Sequence, residues 1–172
     1  VIPCYKVTRH ILAVLSAIGP EVQRILVVDD ACPDGSGKLV ASDNQDPRVE
    51  VIYHEVNLGV GGAMKTGYRR AYNLGAEVIV KIDGDGQMDP ALISLFTSPI
   101  LRGEADYTKG NRFYEMDVVS RMPRVRLFGN IGLSFLTKLS SGYWNLFDPT
   151  NGYTAISGKI IPLLQLDKIE DR

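Results

Sequence analysis

Short apolar runs rich in Val and Ile recur along this chain, separated by amphipathic stretches. Runs of four to seven such residues bounded by turn formers read as strands, and the stretches between them, with apolar positions three and four apart, read as helices. The pattern predicts strands over Val1–Pro3, Arg24–Val28, Val49–His54, Val78–Ile82 and Asp106–Gly110. It predicts helices over Val7–Ile18, Gly35–Ser42, Gly61–Leu74 and Pro90–Ser98. Alternation of this kind marks an α/β fold, and strands that are apolar almost throughout fit a mostly parallel, Rossmann-like central sheet with helices on both faces. No repeat or Pro/Gly-rich linker divides the chain, so a single domain over residues 1–172 is expected, although residues 112–145 depart from the rhythm. The chain opens at once on strand-like VIPCY and stops on LLQLDKIEDR without a turn or cap, so truncation at both ends is the expectation.

Composition narrows the class. With 172 residues, 45% of them hydrophobic and 23% charged, the chain has enough apolar side chains for a sizeable core, which excludes disordered and fibrous classes. Nineteen basic against twenty acidic residues leave a net charge of −1, so no general field draws in nucleic acid and phosphate binding has to be local. Cys4 and Cys32 are too few for a disulfide framework and lack metal-site spacing, which implies free thiols in a reducing compartment. Nearly uncharged stretches such as Ile11–Pro20 and Leu127–Thr137 fall short of the roughly 20 apolar residues of a membrane span.

In an open parallel sheet, ligands bind beyond the carboxyl ends of the strands. Polar residues gather at those ends: Pro3, Tyr5 and Lys6 after the first strand, Asp29, Asp30 and Asp34 after the second, Asn57 to Lys65 after the third. The fourth strand runs into KIDGDGQMDP, residues 81–90, the most acidic loop of the chain. There Asp83 and Asp85 flank Gly84 in a loop that glycines allow to bend. Two carboxylates brought together repel unless a cation neutralises them, and hard oxygen donors select Mg2+ or Mn2+, which would also bridge to substrate phosphates. The competing reading is a solvated Asp/Gly turn, and for Asp89 the preferred role is capping the next helix. In VVDDACPDGS, residues 27–36, Asp34 is placed to cap the following helix, while Asp30 is suited to accept a hydrogen bond from a base N–H or a ribose hydroxyl.

The glycine-rich NLGVGGAMKTG, residues 57–67, invites two nucleotide-binding readings that fail. A P-loop needs Gly directly before Lys, and Met64 stands there. A dinucleotide fingerprint needs a third glycine where Met64 again stands, although Asp83 lies about 20 residues on. The remaining expectation is that Gly61 and Gly62 let the backbone approach a nucleotide or diphosphate, with Lys65 as a charge partner, and that Gly67 allows close packing on the sheet.

Taken together, VIPCYK, VVDDACPDGS, NLGVGGAMKTG, KIDGDGQMDP, KGNRF and DPTNGY, in this order, resemble glycosyltransferase family 2, most nearly its dolichyl- or polyprenyl-phosphate sugar synthases and bacterial surface-polysaccharide transferases. The resemblance implies a GT-A fold, a nucleotide-sugar donor, a divalent metal (Mg2+ or Mn2+) and inversion at the anomeric carbon. It assigns Pro3 and Tyr5 to the base pocket, Asp30 to the base or ribose, Asn57 and Lys65 to the donor, and Asp83, Asp85 and Gln87 to the metal and diphosphate. Arg112 of KGNRF matches an arginine facing donor phosphates, and Asp148 of DPTNGY a position on the acceptor side; Asp85 and Asp148 are the implied catalytic residues. Relatives acting on hydroxyl acceptors use a carboxylate base that neither Glu170 nor Asp171 can be assigned to be. A lipid-phosphate acceptor, already ionised, needs no strong base, and a saccharide acceptor is the other expectation.

Between Arg121 and Trp144, basic residues such as Arg124, Arg126 and Lys138 alternate with Leu and Phe. Such a segment suits either an anionic membrane surface or a helix covering the sheet. A cytoplasmic location, at the membrane face, follows as an expectation. Two other classes stay open at this point: a nucleotide-binding oxidoreductase domain, and a non-catalytic nucleotide-sugar-binding module.

Overall fold

A computed structural model describes residues 1–110 and 151–168. The elements run β1 (Ile2–Cys4), α1 (Ile11–Ala17), β2 (Ile25–Asp29), α2 (Ser36–Asp43), β3 (Val49–Tyr53), α3 (Gly59–Asn73), β4 (Val78–Lys81), α4 (Ile93–Leu101), β5 (Tyr107–Lys109) and β6 (Thr154–Ser157). Short 3-10 segments at Pro90–Leu92, Gly158–Leu163 and Leu166–Lys168 complete the described chain. By compactness the chain divides into two units, residues 1–108 with 153–172, and residues 109–152. The second lies almost wholly outside the described residues, and with it Arg112, Asp148 and the basic amphipathic segment 121–144; Glu170 and Asp171 lie outside them as well.

The expected β-α alternation holds through α4. β1 and β3 both pair in parallel with β2, Ile2 opposite Val27 and Val27 opposite Val51. A second sheet has the order β4-β6-β5. Val1 N–H donates to the Val80 carbonyl at 2.7 Å and Ile82 N–H to the Val1 carbonyl at 3.1 Å, the pattern of a parallel bridge, so β4 continues the first sheet beside β1. The carboxyl ends of β1, β2, β3 and β4 therefore open on one edge.

β2 shows why its sequence is apolar throughout. All five of its residues are buried, and neighbours along it face opposite cores. Ile25 and Val27 pack with Ile2, Ile11, Leu15 and Ile82, whereas Leu26 packs with Ala71, Ile79, Ile156 and Ile161. α3 lies tight on this sheet because Gly67 leaves room: a β-carbon there would stand 2.2 Å from Val1 Cγ1. That packing role is the one the sequence suggested for it.

Two expectations need correction. The first helix starts at Ile11 rather than Val7, because His10 and Ile11 N–H groups both donate to the Val7 carbonyl in a preceding turn, and Lys6 has a left-handed φ of 57°. The unforeseen strand β6 lies antiparallel to β4, Val78 opposite Ser157, which makes the sheet mixed on that side. TAIS escaped the pattern reading because it is four residues long and buried at every one of them, so it carries no alternation. Among the described residues no helix is long and apolar enough to cross a membrane.

Candidate functional site

The two acidic loops lie on the same open edge, on either side of β1, and are built differently. In the loop after β2, Asp29 and Asp30 are buried. Asp29 Oδ1 accepts the Cys32 N–H at 2.7 Å and Oδ2 the Gly37 N–H at 2.6 Å. This carboxylate therefore holds the first turn of α2, where an anion also meets the positive end of the helix dipole. Gly37 is required there, since a β-carbon would come within 2.4 Å of Asp29 Oδ2. Asp34, the cap expected from sequence, is exposed; the residue preceding the helix is Gly35, at a φ of 69°, with no side-chain cap.

Asp30 performs the same service for α3. Its Oδ1 accepts the Leu58 N–H at 2.9 Å and its Oδ2 the Gly59 N–H at 2.7 Å, while its carbonyl takes the Asn57 side-chain amide at 3.2 Å. Two N–H groups of the glycine loop, expected from sequence to approach a diphosphate, are thus already committed to Asp30. Sequence reasoning missed a third partner, His54, whose Nδ1 stands 2.7 Å from Asp30 Oδ1. Lys65 lies half-buried in the second turn of α3.

Ala31 (φ 52°) and Lys6 (φ 57°) are the two non-glycine residues with left-handed backbone among the described residues. They belong to adjoining loops, joined by the Lys6 N–H donating to Cys32 Sγ at 3.1 Å. Such strain persists only where the surroundings hold it, and it gathers at functional edges. Tyr5 is 42% exposed at this edge with the Lys6 ammonium 5.4 Å from its ring centre, and Pro3 sits mid-ladder in β1 opposite Val28, one residue before the strand ends at Cys4. Partial burial pushes the Cys32 thiol up, but hydrogen bonds with the Ser36 hydroxyl and the Lys6 N–H outweigh it and leave the group below its ordinary value. Cys4, beneath the same loop, is pushed up to about 12 by burial and by the neighbouring Asp29 charge.

The loop after β4 leaves its carboxylates at the surface. Asp83 Oδ1 accepts from the Lys81 ammonium at 2.7 Å, and Asp83 remains a third exposed. Asp85 Oδ1 accepts the Gln87 N–H at 3.0 Å, an Asx turn that sets the path of the loop. A charged residue two positions before Asp83 shares its side of an extended chain, so Lys81 was a signal open to sequence reading. The glycines divide the work otherwise than expected. Gly86, at a φ of 79°, makes the bend, whereas Gly84 serves close packing, with a β-carbon there 3.1 Å from Ile11 Cδ1 and 3.2 Å from Val7 Cγ2. Asp89 caps the Pro90–Leu92 turn through the Ala91 N–H at 2.9 Å, as expected.

Tyr153 closes the loop from beneath. It is buried, stacks on Phe96 with ring centres 4.2 Å apart, and its hydroxyl donates to the Asp89 carbonyl at 2.9 Å. Burial, with Asp89 close by, raises its hydroxyl above the ordinary tyrosine value, so it stays a donor. The last residue of DPTNGY is thereby tied to the exit of the acidic loop.

Among the described residues no three of His, Cys, Asp and Glu gather as a metal site. Asp83 and Asp85, each with an oxygen outside the hydrogen bonds above, suit an ion that takes one or two carboxylates from protein and the rest of its shell from water and phosphate, as Mg2+ does. The donor set fits the implied metal on those terms.

Comparison with known proteins is consistent with this geometry. Residues 1–162 match the family model "Glycosyl transferase family 2". A UDP-N-acetylglucosamine–dolichyl-phosphate N-acetylglucosaminyltransferase of Methanococcus voltae is 33% identical over 95% of this chain and 70% of its own length. An undecaprenyl-phosphate mannosyltransferase of Micrococcus luteus is 29% identical over 100% of this chain and 71% of its own. Glucosyl-3-phosphoglycerate synthase of Mycobacterium tuberculosis, in a crystal structure with Mn2+ and UDP-glucose, superposes with a TM-score of 0.70 at 18% identity. That match covers 95% of this chain and 56% of the synthase, and at such identity it speaks for the fold alone. Motif order, strand-end geometry and the match over residues 1–162 meet in one conclusion: this chain belongs to glycosyl transferase family 2, the glycosyltransferases, and has the GT-A fold.

Proposed function

We propose that the protein transfers a sugar, with inversion at the anomeric carbon, from a nucleotide-sugar donor to a polyprenyl-phosphate acceptor. The observation that carries this reading is the contrast at the sheet edge: Asp83 and Asp85 keep carboxylate oxygens outside the hydrogen bonds among the described residues, on a loop where a donor diphosphate belongs. The named activities of the Methanococcus and Micrococcus relatives support a lipid-phosphate acceptor.

The reaction is an in-line displacement. An acceptor phosphate oxygen supplies the electron pair for the new bond to the anomeric carbon, and the bond from that carbon to the donor diphosphate breaks with its pair leaving on the nucleotide. The attacking oxygen is already ionised near neutral pH, so no base has to remove a proton. When bound, Mg2+ or Mn2+ neutralises the charge that grows on the departing diphosphate. Asp83, Asp85 and Gln87 are the residues placed to hold it, and Lys81 keeps Asp83 in position. In this reading Pro3 and Tyr5 border the base and Asp30, Asn57 and Lys65 serve the donor, and the family resemblance gives Arg112 and Asp148, which lie outside the described residues, roles toward the diphosphate and the acceptor. A polyprenyl acceptor brings the reaction to a membrane surface, for which the cytoplasmic face is the proposed side, and the alternating basic and apolar sequence of residues 121–144 suits such a surface.

Isothermal titration of UDP- and GDP-sugars, with and without manganese, tests the reading. Binding that requires manganese and disappears in Asp85→Ala is the expected result; equal binding without metal, unchanged in the variant, overturns it.

A further inference from the structure

His54 has no part in the chemistry above, yet it is among the most constrained polar side chains of the site. It directly follows β3, its N–H donates to the Asp29 carbonyl at 2.9 Å, and its side chain is 9% exposed. Nδ1 lies 2.7 Å from Asp30 Oδ1 and Nε2 lies 2.9 Å from Thr66 Oγ1 on α3. A carboxylate only accepts, so Nδ1 carries a proton and donates to Asp30, while Nε2 shares a hydrogen bond with the Thr66 hydroxyl, which can donate or accept.

The acceptor positions of Asp30 can be assigned in turn. A carboxylate offers about four lone-pair directions, two on each oxygen. His54 and Leu58 N–H fill those of Oδ1, and Gly59 N–H fills one on Oδ2. Among the described residues, one direction on Oδ2 is left. Leu58 N–H on Oδ1 and Gly59 N–H on Oδ2 set the plane of the carboxylate, and His54, reaching Oδ1 from the end of β3, braces it against tilting from that plane, which fixes the last direction.

We infer that His54 is a positioning residue for the nucleoside part of the donor. Through Asp30 it holds a single pre-set acceptor for a base N–H or ribose hydroxyl, and Thr66 holds His54. The inference rests on the donor reading above. It separates two parts of one ligand: the nucleoside depends on His54, whereas the diphosphate, held at the loop after β4, does not.

The test is titration of the full-length protein, in saturating manganese, with UDP (or the nucleoside diphosphate that wild type binds most tightly) and with inorganic pyrophosphate. His54→Ala is expected to weaken the nucleoside diphosphate about tenfold, the worth of one well-placed hydrogen bond to a charged group, and pyrophosphate by less than about twofold. His54→Asn, whose amide can replace Nδ1–H, should recover most of the loss, and Thr66→Val should show a smaller loss of the same selective kind. Parallel weakening of both ligands, or an unchanged nucleoside diphosphate affinity in His54→Ala, overturns the inference while leaving the donor reading intact. If His54→Ala fails to fold, Thr66→Val decides by the same two ratios. A wild-type protein that binds no nucleoside diphosphate brings down the donor reading and this inference with it.

Discussion

The loops after β2 and β4 look alike as text, each with two aspartates at a strand end, and they do opposite things. Asp29 and Asp30 are turned inward, 4% and 3% exposed, and between them accept four backbone N–H groups and a histidine. Asp83 and Asp85 face outward, each with one described hydrogen bond to a near neighbour. The first pair anchors the start of two helices to the sheet, with one acceptor direction of Asp30 over; the second keeps most of its acceptor capacity outside the hydrogen bonds among the described residues. Acidic residues at a strand end therefore say where to look, and the disposition of each carboxylate's lone pairs decides what it does.

The sharpest way to break this comparison is to remove one carboxylate from each loop. Asp85→Ala should lower transferase turnover by at least about a hundredfold, the scale of losing charge stabilisation at a leaving group, while the melting temperature changes little. Asp30→Ala should instead cost about 3 kcal/mol of stability, because two helix N–H groups and His54 lose a buried acceptor. Chemical denaturation beside a transferase assay measures both, and a reversed pattern would abolish the distinction between the loops.

Gly84→Ala sharpens the point by moving the outward loop without touching a carboxylate. Crowding against Ile11 and Val7 should cost about 1–3 kcal/mol and displace Asp83 and Asp85 together, so manganese affinity and stability fall jointly. Asp89→Ala, which removes only the cap after that loop, should cost about 1 kcal/mol in a denaturation series and leave nucleotide binding in place. The smallest effect concerns the thiols. At pH 8, below the raised value of about 12 for Cys4 and closer to the lowered one for Cys32, iodoacetamide followed by mass spectrometry should label Cys32 first and Cys4 only after unfolding.

Much of this was legible in the chain. The apolar runs placed β1 to β5 within a residue or two, and the rule of strand carboxyl ends pointed to both acidic loops before any coordinate was known. Asp89 as a cap and Gly67 as a packing glycine followed from local chemistry alone. His54 was not legible, since a histidine at the end of VIY carries no periodic signal and its partners are 24 and 12 residues away. Lys81 left a readable sign, a charge closing an apolar strand two residues before Asp83. Asp34 misled because sequence offers a cap by proximity, whereas Asp29 reaches the Gly37 N–H from eight residues away.

By itself the sequence determined the layer architecture, the edge that carries the site and the family, because periodicity and motif order are properties of neighbouring residues. The tertiary structure decided which carboxylates hold helices and which, among the described residues, keep oxygens outside such bonds. That choice depends on N–H groups of α2 and α3 arriving from elsewhere in the chain to satisfy Asp29 and Asp30, while the distant segments that pack beneath Asp83 and Asp85 bring glycine clearance and a tyrosine hydroxyl to the loop backbone, and leave carboxylate oxygens over.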